Sequence, residues 1–106
     1  MESLLSAGQE FTAVFCAGDT MAFGAIKSLK KHGVRVPQDV AVVGFDDIEE
    51  AALWDPALTT IRQPKLEIGH AAFRKLLSMI RKEPMPIARD ILPFELVIRD
   101  SCGYFL

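Results

Sequence analysis

Several residue patterns that carry chemistry are missing from this chain. There is no G-x-G-x-x-G and no G-x-x-x-x-G-K-[ST], so the backbone cradles that hold dinucleotides and nucleotide phosphates are absent. Neither a G-x-S-x-G elbow nor an H-E-x-x-H helix occurs. Histidine is scarce, and the two that exist, His32 and His70, fall on different predicted helices without suitable partners nearby. Nucleophilic and metal-assisted catalysis therefore have little support, and no cofactor, no metal and no enzymatic activity are expected.

Charge of one sign is also in short supply. Twelve Lys and Arg against fourteen Asp and Glu give a net charge of -2, without the basic excess of a surface that neutralises several phosphates by itself. Direct nucleic-acid binding by this segment is not expected. Cysteine is rare too: Cys16 lies in a predicted strand and Cys102 in the tail, with no metal-ligand or C-x-x-C spacing, so both read as buried, reduced thiols. No apolar run approaches the roughly 20 residues of a membrane span, and Met1-Glu2-Ser3 lacks the basic start of a signal peptide, which makes the cytoplasm the expected compartment. With 106 residues, half of them hydrophobic, there is material for one modest core and no case for disorder.

What the chain does have is organised around Val40 to Asp47, V-A-V-V-G-F-D-D. Four apolar residues, three of them Val, are the signature of a strand buried on both faces of a parallel sheet. Gly44 ends the run, and an aromatic and two carboxylates follow. Ligands of open α/β sheets sit beyond the carboxyl ends of the strands, which makes Phe45, Asp46 and Asp47 the first candidate site.

Taken in order, residues 2 to 8 read as the last turns of a helix with Gly8 as its left-handed cap. Thr12 to Cys16 reads as a buried strand, and Asp19 as the N-cap of a helix from about Thr20 to His32 that Gly33 stops. At about 100° per residue, Met21, Ala22, Ala25, Ile26 and Leu29 share the face that should cover the sheet. Phe23 falls outside that face, beside Lys27 and Lys30, and is offered to solvent or to another surface. The connection through Pro37 then leads to the central strand, completing a βαβ unit with parallel strands.

Ile48 to Trp54 suits a short helix broken by Asp55-Pro56, with complete burial of Trp54 doubtful. Thr59 to Arg62 is β-prone and ended by Gln63-Pro64. From Lys65 to Lys82 an apolar stripe of Leu66, Gly69, Ala72, Phe73, Leu76, Leu77 and Ile80 describes a helix docked by one side, which Glu83-Pro84-Met85-Pro86 stops. Two extended pieces follow, Asp90 to Leu92 and Phe94 to Arg99, separated by Pro93. The tail from Asp100 to Leu106 shows no usable pattern. So few convincing parallel strands cannot cover both helices, and the chain reads as part of something larger, prone to self-association through uncovered edges and faces.

Asp46 and Asp47 admit three readings. Adjacent carboxylates at a strand end could hold Mg²⁺, as in receiver domains of response regulators; Asp19 would then be the phosphate acceptor, but no Lys ends a strand. In the second, Asp46 accepts hydrogen bonds from ligand hydroxyl or ring N–H groups while Asp47 caps the following turn. In the third, both merely cap Ile48 to Ala52.

The runs Gly18 to Ala25, Val36 to Asp47, Pro56 to Pro64 and Leu92 to Ser101 together resemble the effector-binding core of the lactose/galactose-repressor (LacI/GalR) family of bacterial transcription regulators. The resemblance covers nearly the whole chain. It implies an α/β, partial periplasmic-binding-protein-like fold, Rossmann-like, with a parallel sheet flanked by helices. Residues 1–62 would form part of the C-terminal effector-binding subdomain, 63–97 a crossover with a helix and strand of the N-terminal subdomain, and 98–106 a return segment. The same comparison implies effector contacts at Asp46, Phe45, Gly18, Asp19 and Gln63, a dimer interface at Phe23 and Trp54, and a sugar or nucleobase as effector. The family's helix-turn-helix, hinge helix and first strands would precede residue 1, so DNA would be reached only through that head. A fragment of a periplasmic sugar-binding transport protein shares the implied fold and is the alternative.

Overall fold

The computed structural model describes residues 1–84 and 89–106. Met85 and Pro86 of the expected helix stop lie outside the described residues. Contacts divide the chain into two compact units, Met1–Arg62 with Glu95–Leu106, and Gln63–Phe94.

The first unit holds α1 (Glu2–Ser6), β1 (Ala13–Phe15), α2 (Asp19–Lys31), β2 (Ala41–Val43), α3 (Glu50–Leu53), β3 (Thr60–Arg62) and β4 (Glu95–Val97). β1 and β2 pair in parallel, Val14 opposite Val42, with α2 between them in sequence: the expected βαβ unit. A parallel bridge from Val43 to Thr59 brings β3 alongside β2, and β4 pairs antiparallel with β3, Ile61 opposite Leu96. Gly8 and Gly33 take positive φ, 67° and 75°, where the first two helices end, as the left-handed cap requires.

The core lies between α2 and the sheet. Ala22, Ala25, Ile26 and Leu29, spaced i, i+3, i+4, i+7, pack with Val36, Val40, Val42, Ala51 and Leu58. Ile26 and Leu29 are fully buried, each stabilising the fold by about 1.5–3 kcal/mol. Two residues depart from the predicted face. Met21 is 61% exposed, whereas Phe23 is buried because Trp54 stacks on it, ring centroids 4.2 Å apart and planes 19° from parallel. The aromatic that the helical wheel set outside is covered by a residue from α3's far end, which periodicity within one helix cannot reveal. Trp54 keeps part of its surface in solvent.

β1 is less buried than expected. Val14 is half-buried and both Ala13 and Phe15 are exposed, since among the described residues β1 has a single strand neighbour, β2. Val42 alone of β2 is fully buried. Cys16 is buried and Cys102 half-buried; both are free thiols.

The patternless tail proves to be a stitch. Ser101 is completely buried, donates its hydroxyl to the Val42 carbonyl at 2.6 Å and accepts from the Thr59 N–H at 2.9 Å, while its own carbonyl accepts from the Val42 N–H at 2.8 Å. One residue thus satisfies backbone groups of both β2 and the approach to β3.

The second unit is α4 (Lys65–Ile80) with the segment that follows it. The helix was expected to dock by its apolar stripe, yet none of its residues is buried, and Leu66, Phe73, Leu76 and Ile80 are all more than half exposed. Asp90 to Leu92, expected to be extended, forms no strand.

Candidate functional site

The carboxyl ends of β1 and β2 open on one rim, built by backbone bonds. Past the end of β1 the Cys16 N–H donates to the Val43 carbonyl (2.8 Å) and the Asp19 N–H to the Phe45 carbonyl (3.0 Å). On the other side the Gly44 N–H donates to the Thr59 carbonyl and the Asp46 N–H to the Ile61 carbonyl, both at 2.9 Å. The loop after β2 is therefore held from both flanks. Gly44 sits at the tightest point: a Cβ there would run into the Asp19 Oδ1 atom and stand 2.9 Å from Leu58 Cδ2.

Beyond Gly44 the backbone turns sharply. Asp46 and Asp47 take φ of 117° and 54°, a region that L-residues other than Gly rarely adopt, with Asp among the more tolerant types. Such conformations persist where the surroundings over-determine them. Here the surroundings are two flanking strands and three ionic side chains.

Two carboxylates, Asp19 and Asp47, exchange the roles expected of them. Asp19 was expected to cap α2, but Gly18 is the N-cap and makes no side-chain bond, while Asp19 is the first helical residue and only 1% exposed. Its Oδ1 accepts from the Thr60 hydroxyl at 2.5 Å and its Oδ2 from the Ile48 N–H at 2.9 Å. Asp19 thus holds the turn that Asp47 was expected to cap. Asp47 instead lies between two guanidiniums, its Oδ2 accepting from Arg62 Nε at 2.6 Å and its Oδ1 from Arg99 Nη2 at 2.8 Å, with its side chain 8% exposed. Burial pushes the Asp47 carboxyl up, but the bonds from Arg62 and Arg99 outweigh it and hold the group below the usual carboxylate range.

With Asp19 and Asp47 so committed, neither offers the arrangement of free carboxylate oxygens that a Mg²⁺ site needs. Among the described residues no group of three His, Cys, Asp or Glu side chains stands ready to hold a metal ion. Cys16, though at the rim, is buried, and burial pushes its thiol up, away from the reactive thiolate.

Phe45, Asp46 and Gly18 are brought together. A Cβ on Gly18 would lie 3.9 Å from Asp46 Oδ2, so the missing side chain leaves room beside that carboxylate. Phe45 meets Phe15 edge to face, centroids 6.5 Å apart at 88°, and Phe15 is 66% exposed. The rim therefore offers a half-buried carboxylate beside a partly exposed aromatic wall, a combination suited to a small polar molecule with an apolar face. Gln63 is the first residue of the second unit, where its carbonyl accepts from the Lys65 N–H.

Sequence reasoning missed Arg62, Arg99, Thr60 and Ser101. One signal was available: Thr60 and Arg62 alternate on β3 and so share a face, the one that meets Asp19 and Asp47. Arg99, 52 residues from Asp47, left no local trace.

The profile of the periplasmic binding protein-like domain matches residues 2–102. The chain is 42% identical over 101 residues to the HTH-type transcriptional repressor CytR of Escherichia coli, an alignment covering 95% of this chain and 30% of that protein. It is 48% identical over 90 residues to the Escherichia coli repressor PurR, covering 82% of this chain and 26% of PurR. The chain thus spans about a third or less of these relatives. Among solved structures, the Lac repressor dimer bound to operator and the anti-inducer ONPF superimposes with a TM-score of 0.84 at 34% identity, over 93% of this chain and 34% of that one. A match over nearly the whole chain, with a parallel βαβ unit, makes this chain a member of the periplasmic binding protein-like family.

Proposed function

We propose that this chain is the effector-sensing and dimerisation region of a bacterial LacI/GalR-type transcription regulator that works in the cytoplasm. Residues 1–62 belong to its C-terminal effector-binding subdomain, 63–97 to the crossover with a helix and strand of the N-terminal subdomain, and 98–106 to the return. The observation that carries this reading is Asp46, a half-buried carboxylate on a positive-φ turn at the carboxyl end of the central strand. A carboxylate so placed accepts charge-assisted bonds from the hydroxyls of a sugar or the ring N–H of a nucleobase. Phe45 packs on the ligand's apolar face, Gly18 leaves space beside Asp46, and Gln63 adds a contact at the crossover. Asp19 shapes the site from below through Thr60 and Ile48. The region binds without catalysing, and DNA is read by a separate helix-turn-helix head.

Binding would act by favouring one arrangement of the two subdomains over the other. Titrating the complete parent protein with a panel of monosaccharides and nucleobases identifies the class. Asp46→Asn should then weaken the bound member about tenfold or more, as expected for losing a charged hydrogen-bond acceptor. Unchanged affinity in Asp46→Asn would remove Asp46 from the site.

Self-association follows from the uncovered apolar face of α4 and from Trp54 beside the Phe23 ring, an aromatic edge of the kind enriched at interfaces. The chain alone should sediment as a dimer or larger species, and Phe73→Glu with Leu76→Glu should shift it toward the monomer. A monomer at high concentration before any substitution contradicts this.

A further inference from the structure

The first unit leaves off at Arg62 and resumes at Glu95, so these two residues are the posts through which the chain passes out to the second unit and back. They are joined. β3 and β4 set Arg62 opposite Glu95 in register, and Arg62 Nη1 donates to Glu95 Oε1 at 2.8 Å. The same guanidinium turns its Nε to Asp47 Oδ2 at 2.6 Å. Asp47 follows Asp46 directly, and both hold positive φ. A single planar cation therefore spans from the two crossing points to the turn that carries Asp46.

We infer that Arg62 is a coupling residue: it ties the Asp46–Asp47 turn to both chain crossings, so that a displacement at the crossings reorients the Asp46 carboxylate, and a ligand on Asp46 loads the crossings. The inference rests on the reading of Asp46 as the effector contact. Arginine suits the task because its fork of donors serves two carboxylates at once in fixed geometry, whereas a lysine ammonium is a point charge on a flexible stem. Arg99 holds the other oxygen of Asp47 and bonds the Leu58 carbonyl at 2.9 Å. It keeps the turn folded while Arg62 sets its orientation.

Hydrogen-exchange mass spectrometry on the full 106-residue chain tests this without any ligand, so its outcome is separate from that of the effector reading. Four proteins are compared: the unchanged chain, Glu95→Gln, Arg62→Lys, and the double variant. The Glu95 side chain is 61% exposed, so Glu95→Gln disturbs no core. Exchange in the peptide containing Asp46 to Ile48 should rise about two- to fivefold in Glu95→Gln, the scale set by an exposed ion pair. That rise should vanish when Glu95→Gln is made in the Arg62→Lys background. A merely local ion pair would confine the rise to the β3–β4 ladder and leave the Asp46 to Ile48 peptide unchanged. An effect of Glu95→Gln confined to the β3–β4 ladder, or an equal increment with Lys at position 62, would overturn the inference. Amides of β2 serve as the internal control; if Glu95→Gln loosens them as well, Glu95→Asp, which keeps the charge and shortens the reach, replaces it with the same expectation and the same refuting result.

Discussion

Asp19 and Thr60 lie 41 residues apart and meet side chain to side chain in the core, the Thr60 hydroxyl donating to the Asp19 carboxylate at 2.5 Å with both residues at or below 1% exposure. This bond joins the start of α2 to β3, and through the second Asp19 oxygen it also reaches the turn at Ile48. Thr60→Val keeps the volume and removes the donor, leaving a buried carboxylate oxygen short of a partner. Chemical denaturation should show a loss of about 1–3 kcal/mol.

Two glycines should respond in opposite directions. At Gly44 an added Cβ meets Asp19 Oδ1, which Thr60 anchors, so Gly44→Ala should destabilise by about 1–3 kcal/mol as an overpacked site. Gly24, inside α2 and exposed, has nothing within 4 Å of a Cβ, and Gly24→Ala should stabilise by about 0.5–1 kcal/mol through helix propensity and a less flexible unfolded chain. Paired thermal melts decide both.

Acid should erode stability in a defined window. The Arg35 side chain, with help from its backbone N–H, holds the Asp39 carboxyl down to about 2 from an ordinary 3.8. A group whose folded pKa is depressed contributes stability above its unfolded value and loses it as pH falls through the folded one. The contribution of Asp39 is therefore complete above about pH 5 and lost progressively as pH falls through 2, and Asp47, also held low, adds in the same direction. Asp39→Asn should be less stable than the unchanged chain at neutral pH, and the two should converge as pH approaches 2. Denaturant midpoints measured across this range would show parallel curves if the Arg35 pair contributed nothing.

Trp54 is the chain's single tryptophan, so its fluorescence reports on the stack with Phe23 without interference from another indole. Phe23→Ala should move the emission to longer wavelength, as water replaces the ring 4.2 Å away, and should cost about 3–5 kcal/mol as a large-to-small change at a buried site. An unshifted spectrum would mean the two rings do not stack in solution.

Much of the fold was legible without coordinates, because its signals are local. The four-residue apolar run before Gly44 announced the central strand, the 22-25-26-29 spacing announced the buried face of α2, and Gly8 and Gly33 marked helix ends by the one backbone conformation they alone enter freely. The candidate site was legible in part for the same reason: Phe45, Asp46 and Asp47 stand next to a recognisable strand end, and strand ends are where α/β sheets bind ligands.

What the sequence determined by itself was therefore the succession of elements, the parallel βαβ unit and the position of the candidate site at a strand end. Tertiary structure alone decided which carboxylate does what. Asp19 and Asp47 are both acids beside turns, and nothing local distinguishes a buried acceptor for Thr60 from a partner of Arg62 and Arg99. That assignment depends on residues 15, 41 and 52 positions away, brought within bonding distance only when β3 and the tail close on the end of β2. The same holds for Phe23, which its own helix places outside the core and Trp54 covers, and for Ser101, an ordinary serine in a patternless tail until two strands present it with backbone groups to satisfy. Periodicity records which way a side chain points along its own element. What meets it there is a property of the packed chain.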